Sequence, residues 1–312
     1  MKSKKGMTLL EMLVVIGIIG ILAAVLLSQF GGATESAKAA QCMNNLRSLS
    51  VAVINTATAQ TDGVYPSARS VKHKDINSNG KINWYLFRGW ISWTKNGDVT
   101  SRTKVEGSDI YLGDQSDDNI WLAITNGAIW TATGKSRAAY NCPVHENLYK
   151  KKNGGRAPGW SYVMNSRFGT HTTDSKQPDY HSWSIRMDGI HVKRNVSDKN
   201  STKVAADKLL MFAEIQALTL ENNTVGAPEP DFSGMGEAGD AVLKSDSGEV
   251  IGFNHKVSGG RYAGHVAFAD GHVEKFLLPK RGSLTDLTTY LCQGYDVTFD
   301  GAAYTKVEEG GK

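Results

Sequence analysis

An uncharged apolar run near the amino terminus constrains this chain more than any other feature. The run covers 16 uncharged, mostly aliphatic residues at positions 12–27, and residues 7–10 extend it toward the amino terminus. About 20 residues in an α-helix, with a rise of about 1.5 Å each, cross the roughly 30 Å of hydrocarbon in a bilayer. The sequence therefore predicts a membrane-length helix over residues 7–30.

Glu11 is the one charged residue within this span. A carboxylate in hydrocarbon is costly, so its presence there indicates a function. Two ordinary interpretations leave it unexplained. A secretory signal peptide should have a small-residue cleavage site after its apolar stretch, but the Ala23-Ala24 pair lies within the run. A plain signal anchor accounts for the lysines at positions 2, 4 and 5, but for neither Gly6 nor Glu11.

The string KKGMTLLE at residues 4–11 resembles the class III leader of type IV pilins and type II secretion pseudopilins. In that family a membrane-embedded prepilin peptidase cuts after the glycine and methylates the new first residue. The resemblance implies that Gly6 is the cleavage site, Met7 the mature amino terminus and Glu11 the fifth mature residue. The family usually has Phe where this chain has Met7.

Cleavage at that position would create a positive α-amino group at Met7 in a low-dielectric environment. The Glu11 carboxylate could pair with it and offset both desolvation costs. The resemblance favours pairing with a neighbouring subunit, which would set the register of filament assembly. In the alternative interpretation, Glu11 extends toward the lipid headgroups near the helix start.

An amphipathic segment follows the apolar run. The Gly31-Gly32 pair could loosen the helix, but residues 33–59 contain neither Pro nor Gly. One helical face carries the apolar residues Cys42, Leu46, Leu49 and Val53 at offsets of 4, 7 and 11 residues. We therefore expect one helix from residue 7 to about residue 58, with the rest of the protein packed on this stripe. The expected divisions are a leader at 1–6, a transmembrane or filament-core half at 7–30, an amphipathic half at 31–62 and a head at 63–312.

The head is rich in Gly, Trp, Ser, Thr and Asn, and short β-like runs alternate with turn signals. Residues 120–124 and 209–215 are two such runs. Asp270-Gly271 predicts a two-residue hairpin turn that places Phe268 opposite Val273 and Val266 opposite Lys275. The predicted fold class is α+β: a long pilin-like helix on a mainly antiparallel head, with long insertions at 67–119 and 170–205.

Parts of the head carry a resemblance as well. Residues 42–49 and 63–66 resemble the helix end and following loop of major pseudopilins, and especially the large pilin-like proteins of Planctomycetes, Verrucomicrobia and Lentisphaerae. The stretch from Phe253 to Val273 resembles the prepilin-associated "His, nine residues, Asp-Gly" segment of the same proteins. Here 14 residues separate His255 from Asp270, so the spacing is longer than in the family.

The string DINSNGKIN at residues 75–83, within the predicted insertion, is similar to the front half of a calcium loop. It has oxygen-bearing side chains at alternate positions and a central glycine. The alternative is an Asn/Gly turn whose side chains bond their own backbone. At the twelfth position stands Leu86, where an EF-hand needs a bidentate Glu, so any Ca²⁺ site would need another acid such as Asp98 or Asp109. The candidate positions are Asp75, Asn77, Asn79, Lys81 and Asn83.

The histidines and cysteines leave several interpretations open. His255, His265 and His272 match the ligand spacing of no zinc class, and a structural role at the turn explains Asp270 and His272. With three cysteines in an oxidising compartment, the expectation is one disulfide and one free thiol. The sequence does not reveal which of Cys42, Cys142 and Cys292 pair. Cys142 and His145 could also form half of a metal site.

No nucleophile, phosphate-loop or metalloprotease signature is present, and the sequence indicates a non-enzymatic protein. The resemblance implies a pilin or pseudopilin subunit. Its expected partners are prepilin peptidase, the inner membrane, the pilus or secretion assembly machinery and further copies in a periplasmic or surface filament. The alternative is an anchored adhesin or glycan-binding module that uses the tryptophans of the head.

The charge balance excludes one class of partner. The formal net charge is +4, from 35 basic and 31 acidic residues. Without the three leader lysines, 32 basic residues remain against 31 acidic ones, a net charge of +1. Most of the excess positive charge therefore belongs to the leader lysines, which flank the apolar run and keep the amino terminus cytoplasmic. The remaining chain is nearly neutral, so no nucleic-acid partner is expected.

Overall fold

The computed structural model describes residues 8–59, 63–68, 71–76, 82–87, 89–92, 103–104, 117–152, 159–168, 187, 189–192, 202–216, 241–243 and 249–307. Within these ranges, the side chains of residues 24–33, 71–76, 82–87, 103–104, 117–120 and 152 lie outside the description. Gly6, Met7 and the predicted calcium positions Asn77, Asn79 and Lys81 therefore lie outside what the structure describes. Of the predicted calcium positions Asp75 and Asn83, which face each other across β1 and β2, only the backbone is described.

The described residues form four α-helices and thirteen strands. The helices are α1 (Leu9–Ala59), α2 (Asp117–Thr125), α3 (Pro143–Lys152) and α4 (Leu284–Cys292). The strands are β1 (Val71–Ile76), β2 (Ile82–Phe87), β3 (Thr103–Lys104), β4 (Tyr162–Asn165), β5 (His191–Val192), β6 (Thr202–Lys203), β7 (Leu210–Glu214), β8 (Val242–Leu243), β9 (His255–Lys256), β10 (Tyr262–Phe268), β11 (Val273–Leu277), β12 (Val297–Phe299) and β13 (Tyr304–Lys306).

Helix α1 is continuous over 51 residues, a length of about 75 Å. The Gly31-Gly32 pair does not end it, because the helix continues through both residues. The predicted stripe is confirmed: Cys42, Leu46, Leu49 and Val53 are all fully buried and belong to the main hydrophobic core. Among the described residues, none of the helices combines the length and apolar character that crossing a membrane requires.

The central sheet packs against α1 through strands β7, β9, β10 and β11. Its strand order is β11-β10-β7-β4-β8, with β9 also paired to β10, and every pair is antiparallel except β4 with β8. All five residues of β7 are buried, because α1 and α4 both pack on this strand. The β-like run at residues 209–215 therefore contains a strand, and the first four residues of β7 are apolar, as is common for a strand buried on both faces. The α+β class and the mainly antiparallel sheet are confirmed.

The hairpin between β10 and β11 differs from its predicted register by one residue. Val266 faces Glu274 and Ala267 faces Val273, so the prediction of Val266 opposite Lys275 was wrong. The reason is the turn: a type I′ turn needs positive φ at two residues, but only Gly271 has it, at +90°. The Gly271 N–H donates to the Phe268 carbonyl, which lengthens the loop to three residues.

A second correction concerns residues 120–124, a β-like run in the sequence. They lie within helix α2, which begins at Asp117 and ends at Thr125. A short apolar run fits a buried strand or a buried helix equally well, so periodicity alone does not separate the two. Smaller sheets complete the described structure: β1-β2-β3 within the predicted insertion 67–119, the pair β5-β6, and the pair β12-β13.

Candidate functional sites: the helix start and a buried polar cluster

The start of α1 is closed by a capping box formed by Thr8 and Glu11. The Thr8 backbone N–H donates to Glu11 Oε2 at 2.7 Å, and the Thr8 hydroxyl donates to the same oxygen at 3.0 Å. In return, the Glu11 N–H donates to Thr8 Oγ1 at 3.3 Å. Sequence reasoning singled out Glu11 but missed this role, although the T-x-x-E spacing is its signature. In the single subunit, the Glu11 carboxylate therefore already has local partners.

The first turns of α1 expose a long apolar surface. Every described residue from Leu9 to Ala23 is exposed, and Leu9 is 84% exposed. Apolar area of this extent on a subunit indicates a contact with lipid or protein. The second half of the same helix buries its apolar stripe in the head, so the two halves have different environments.

A second site lies where α1 meets the central sheet, and we call it the buried polar cluster. It consists of Cys42 on α1, Cys142 just before α3, Glu214 at the end of β7, His255 on β9 and His265 on β10. All five residues are essentially inaccessible to solvent. Strand β10 pairs with both β7 and β9, and this pairing brings the glutamate and the two histidines together.

Glu214 is the centre of the buried polar cluster. Its Oε1 lies 2.7 Å from His265 Nδ1 and 3.0 Å from His255 Nε2. The Asn254 amide donates to the second oxygen, Oε2, at 3.2 Å. A buried charge is tolerated only when it is paired and hydrogen-bonded, and these contacts provide that.

The two thiols lie beside this carboxylate. Cys42 Sγ is 3.1 Å from the Tyr162 hydroxyl, and Cys142 Sγ is 3.5 Å from His255 Nε2. Burial raises the pKa of Cys42 well above its ordinary value. For Cys142, burial also acts to raise the pKa, but hydrogen bonding to Cys42 and the nearby His255 outweigh it and lower the value.

The carboxylate and His255 stabilise each other's charges. Burial acts to raise the pKa of Glu214, yet the charge and hydrogen bonds of His255 and His265 hold it at about 2. Burial acts to lower the pKa of His255, but the Glu214 charge raises it to about 10. The stable state is therefore an ionised Glu214 facing a positive imidazole at His255.

This geometry differs from that of a nucleophile relay. In a relay of the Cys-His-acid kind, the thiol contacts one ring nitrogen and the acid orients the other. Here the same nitrogen, His255 Nε2, faces both Cys142 Sγ and Glu214 Oε1. Donor atoms that converge on one point are suited to holding a proton or a cation.

The structure brings together only part of what the sequence singled out. His272 lies at the hairpin, where its Nδ1 and its backbone N–H both contact Asp270 Oδ1, as the structural interpretation expected. His145 bonds the Ser161 hydroxyl at 2.9 Å and does not join Cys142. The sequence analysis did not predict Glu214 as a site residue. The one sequence feature that could have indicated it is its position as a lone acid at the end of an apolar run.

All three cysteines are buried free thiols in the structure. The Cys42 and Cys142 thiols lie within hydrogen-bonding reach of each other, and Cys292 lies at the end of α4. The pairing of these cysteines in the oxidised chain stays a prediction.

The described tryptophans mostly serve packing. Trp90 and Trp160 are buried, and the Trp90 indole N–H donates to the Ala241 carbonyl at 3.0 Å. Trp121 is 40% exposed and lies edge-on to Trp130. Most of the tryptophans whose side chains are described therefore help to build the core of the head.

Comparison with known proteins identifies the class of the amino terminus. Residues 1–27 match the family model of the prokaryotic N-terminal methylation motif, so this segment is of the prepilin type that pilins and pseudopilins carry. No curated protein and no solved structure matches the chain.

Proposed function

We propose that this protein is a non-enzymatic structural subunit, a pilin or pseudopilin, of a type IV pilus-like or type II secretion-like filament. Prepilin peptidase removes residues 1–6 and methylates Met7. Residues 7–30 hold the subunit in the inner membrane, and on assembly they form the filament core while the heads coat its periplasmic or extracellular surface.

The observation that carries this proposal is the division of α1. The first half of this continuous helix lies in the segment that matches the methylation motif, and its described apolar side chains are exposed. The second half carries the apolar stripe that is fully buried in the head. The exposed half has no partner within the described part of the chain and is suited to lipid or to the same helix of other subunits. Gly17 and Gly20 have open space around them, which permits close helix approach.

Processing by prepilin peptidase tests the first step. The full chain is expressed with and without the peptidase, and the mass of the intact product is measured. We expect a product that begins at Met7 and carries one added methyl group only when the peptidase is present.

The matched control is Gly6→Val, which places a branched side chain at the cleavage position and should leave the leader attached. A conservative change elsewhere in the leader, Ser3→Ala, should not affect cleavage. An unshortened wild-type chain in the presence of a peptidase that cuts a known prepilin would contradict the proposal.

A further inference from the structure

The geometry of the buried polar cluster points to a metal site: we propose that Cys42, Glu214, His255 and His265 bind one Zn²⁺ ion. The ligand atoms of these four residues all lie within 4.8 Å of one another. They come from four different elements, α1, β7, β9 and β10, so the tertiary fold itself creates the arrangement.

The donor set suits zinc. Thiolate sulfur, imidazole nitrogen and carboxylate oxygen are the three ligand types of protein Zn²⁺ sites, and four protein ligands with no open position define a structural site. Cations that need only oxygen ligands, such as Ca²⁺ and Mg²⁺, are a poor match for a set with one carboxylate. All four residues are buried, which fits a closed structural site and excludes a substrate-accessible one.

The contacts favour a cation over a simple hydrogen-bonded pair. Both histidines direct a nitrogen at the same oxygen, Glu214 Oε1, at 2.7 and 3.0 Å. The other nitrogens of the two rings, His255 Nδ1 and His265 Nε2, are buried and have no hydrogen-bond partner among the described residues, so both rings make their polar contacts through the nitrogens that face Glu214. A Zn²⁺ ion would neutralise the carboxylate and a Cys42 thiolate, and would replace the two imidazole contacts to a single carboxylate oxygen by ligand bonds.

The site would connect the helix to the head. Cys42 belongs to the buried stripe of α1, and the other three ligands belong to neighbouring strands of the central sheet. A zinc ion at this junction would therefore hold α1 on the sheet. Cys142 lies next to the site as a neighbouring thiol.

The experiment uses the detergent-solubilised full chain, purified without added metal and then dialysed. Elemental analysis should find about one zinc per chain. X-ray absorption at the zinc edge should show sulfur at about 2.3 Å together with nitrogen or oxygen at about 2.0–2.1 Å. Replacement by Co²⁺ should give the near-ultraviolet charge-transfer band of a thiolate ligand.

Two variants, Cys42→Ser and His265→Gln, should reduce bound zinc to the background level, and Cys42→Ser should also remove the charge-transfer band. The matched control, Cys292→Ser, changes a buried thiol outside the cluster and should retain zinc and the band. The proposal is overturned if the wild-type chain binds no zinc, if its absorption spectrum lacks sulfur ligation, or if a non-reducing peptide map finds Cys42 in a disulfide. These wild-type measurements decide the question even if a variant fails to fold.

Discussion

At the scale of single residues, His145 is the clearest source of acid sensitivity outside the buried polar cluster. Burial lowers its pKa from 6.5 to about 4, although the charges of Glu214 and Glu146 act to raise it. The neutral ring bonds the Ser161 hydroxyl at 2.9 Å. Because the unfolded chain binds a proton more readily than the folded chain, this contribution to stability is complete above pH 6.5 and is lost as the pH falls toward 4.

The prediction is that His145→Gln flattens the pH dependence of unfolding. Between pH 6.5 and 4, the wild-type free energy of unfolding should fall by about 3 kcal/mol more than that of the variant. Denaturant unfolding at several pH values measures the difference. Equal slopes in the two proteins would show that folding does not lower the pKa of His145.

Gly264 gives a second prediction at this scale. A Cβ at this position would collide with the Gly252 carbonyl, and neither partner is a flexible side chain. Gly264→Ala should therefore reduce the free energy of unfolding by about 1–3 kcal/mol, through a forced shift of β10. Gly189→Ala is the matched control, because its Cβ would make only an ordinary contact with the His191 ring at 3.5 Å. Equal losses of unfolding free energy in the two variants would contradict the close approach of Gly264 to the Gly252 carbonyl.

Residue identity allowed some of the buried polar cluster to be anticipated. His255, His265, Cys42 and Cys142 all stand out by their type, yet nothing in the sequence places them together. Glu214 is 41 residues from His255 and reaches it only because β7 and β9 both lie beside β10. Contacts of this kind depend on strand order, which local patterns do not specify.

At the scale of elements, the buried stripe of α1 makes a direct prediction about packing. Leu46 is fully buried in the core, whereas Val51, on the same helix, is 44% exposed. Leu46→Ala should cost about 2–5 kcal/mol of unfolding free energy, since it leaves a cavity between the helix and the sheet. Val51→Ala should change it by about 0.5 kcal/mol or less. Denaturant unfolding compares them; similar losses would contradict the packed stripe.

The elements also show where sequence patterns succeed and fail. The 3.6-residue period predicted α1 and its buried face, because a helix repeats one local geometry over many residues. The hairpin was located by Asp270-Gly271, but its register depended on the conformation of a single residue. Asp270 keeps a negative φ and accepts the His272 N–H at 3.0 Å, so the turn took the longer form.

At the scale of the whole molecule, Glu11 is the residue through which we propose that one subunit joins another in the filament. In the single chain its carboxylate caps α1 through Thr8. If it pairs with the Met7 amino group of a neighbour, Glu11→Ala should abolish or strongly reduce filament assembly while leaving leader cleavage intact. Electron microscopy of sheared filaments and the mass of the processed subunit measure both effects.

The matched control for that prediction is Glu35→Ala. Glu35 lies on the same helix and pairs with Lys38 at 2.7 Å, away from the helix start. Its removal should leave assembly unchanged, because a partly exposed ion pair within one helix contributes little. Normal filaments from Glu11→Ala would show that the carboxylate acts only as a helix cap.

The central claim concerns how the subunits associate, and cryo-electron microscopy tests it most directly. The full chain is expressed with a prepilin peptidase, platform protein and assembly ATPase, and any filaments are reconstructed. The account predicts a core of parallel α1 helices that begin at Met7, with the central sheet of each head outside. Two results would contradict the account. One is a filament whose core consists of heads, and the other is a processed subunit that does not assemble under conditions in which a native pilin does.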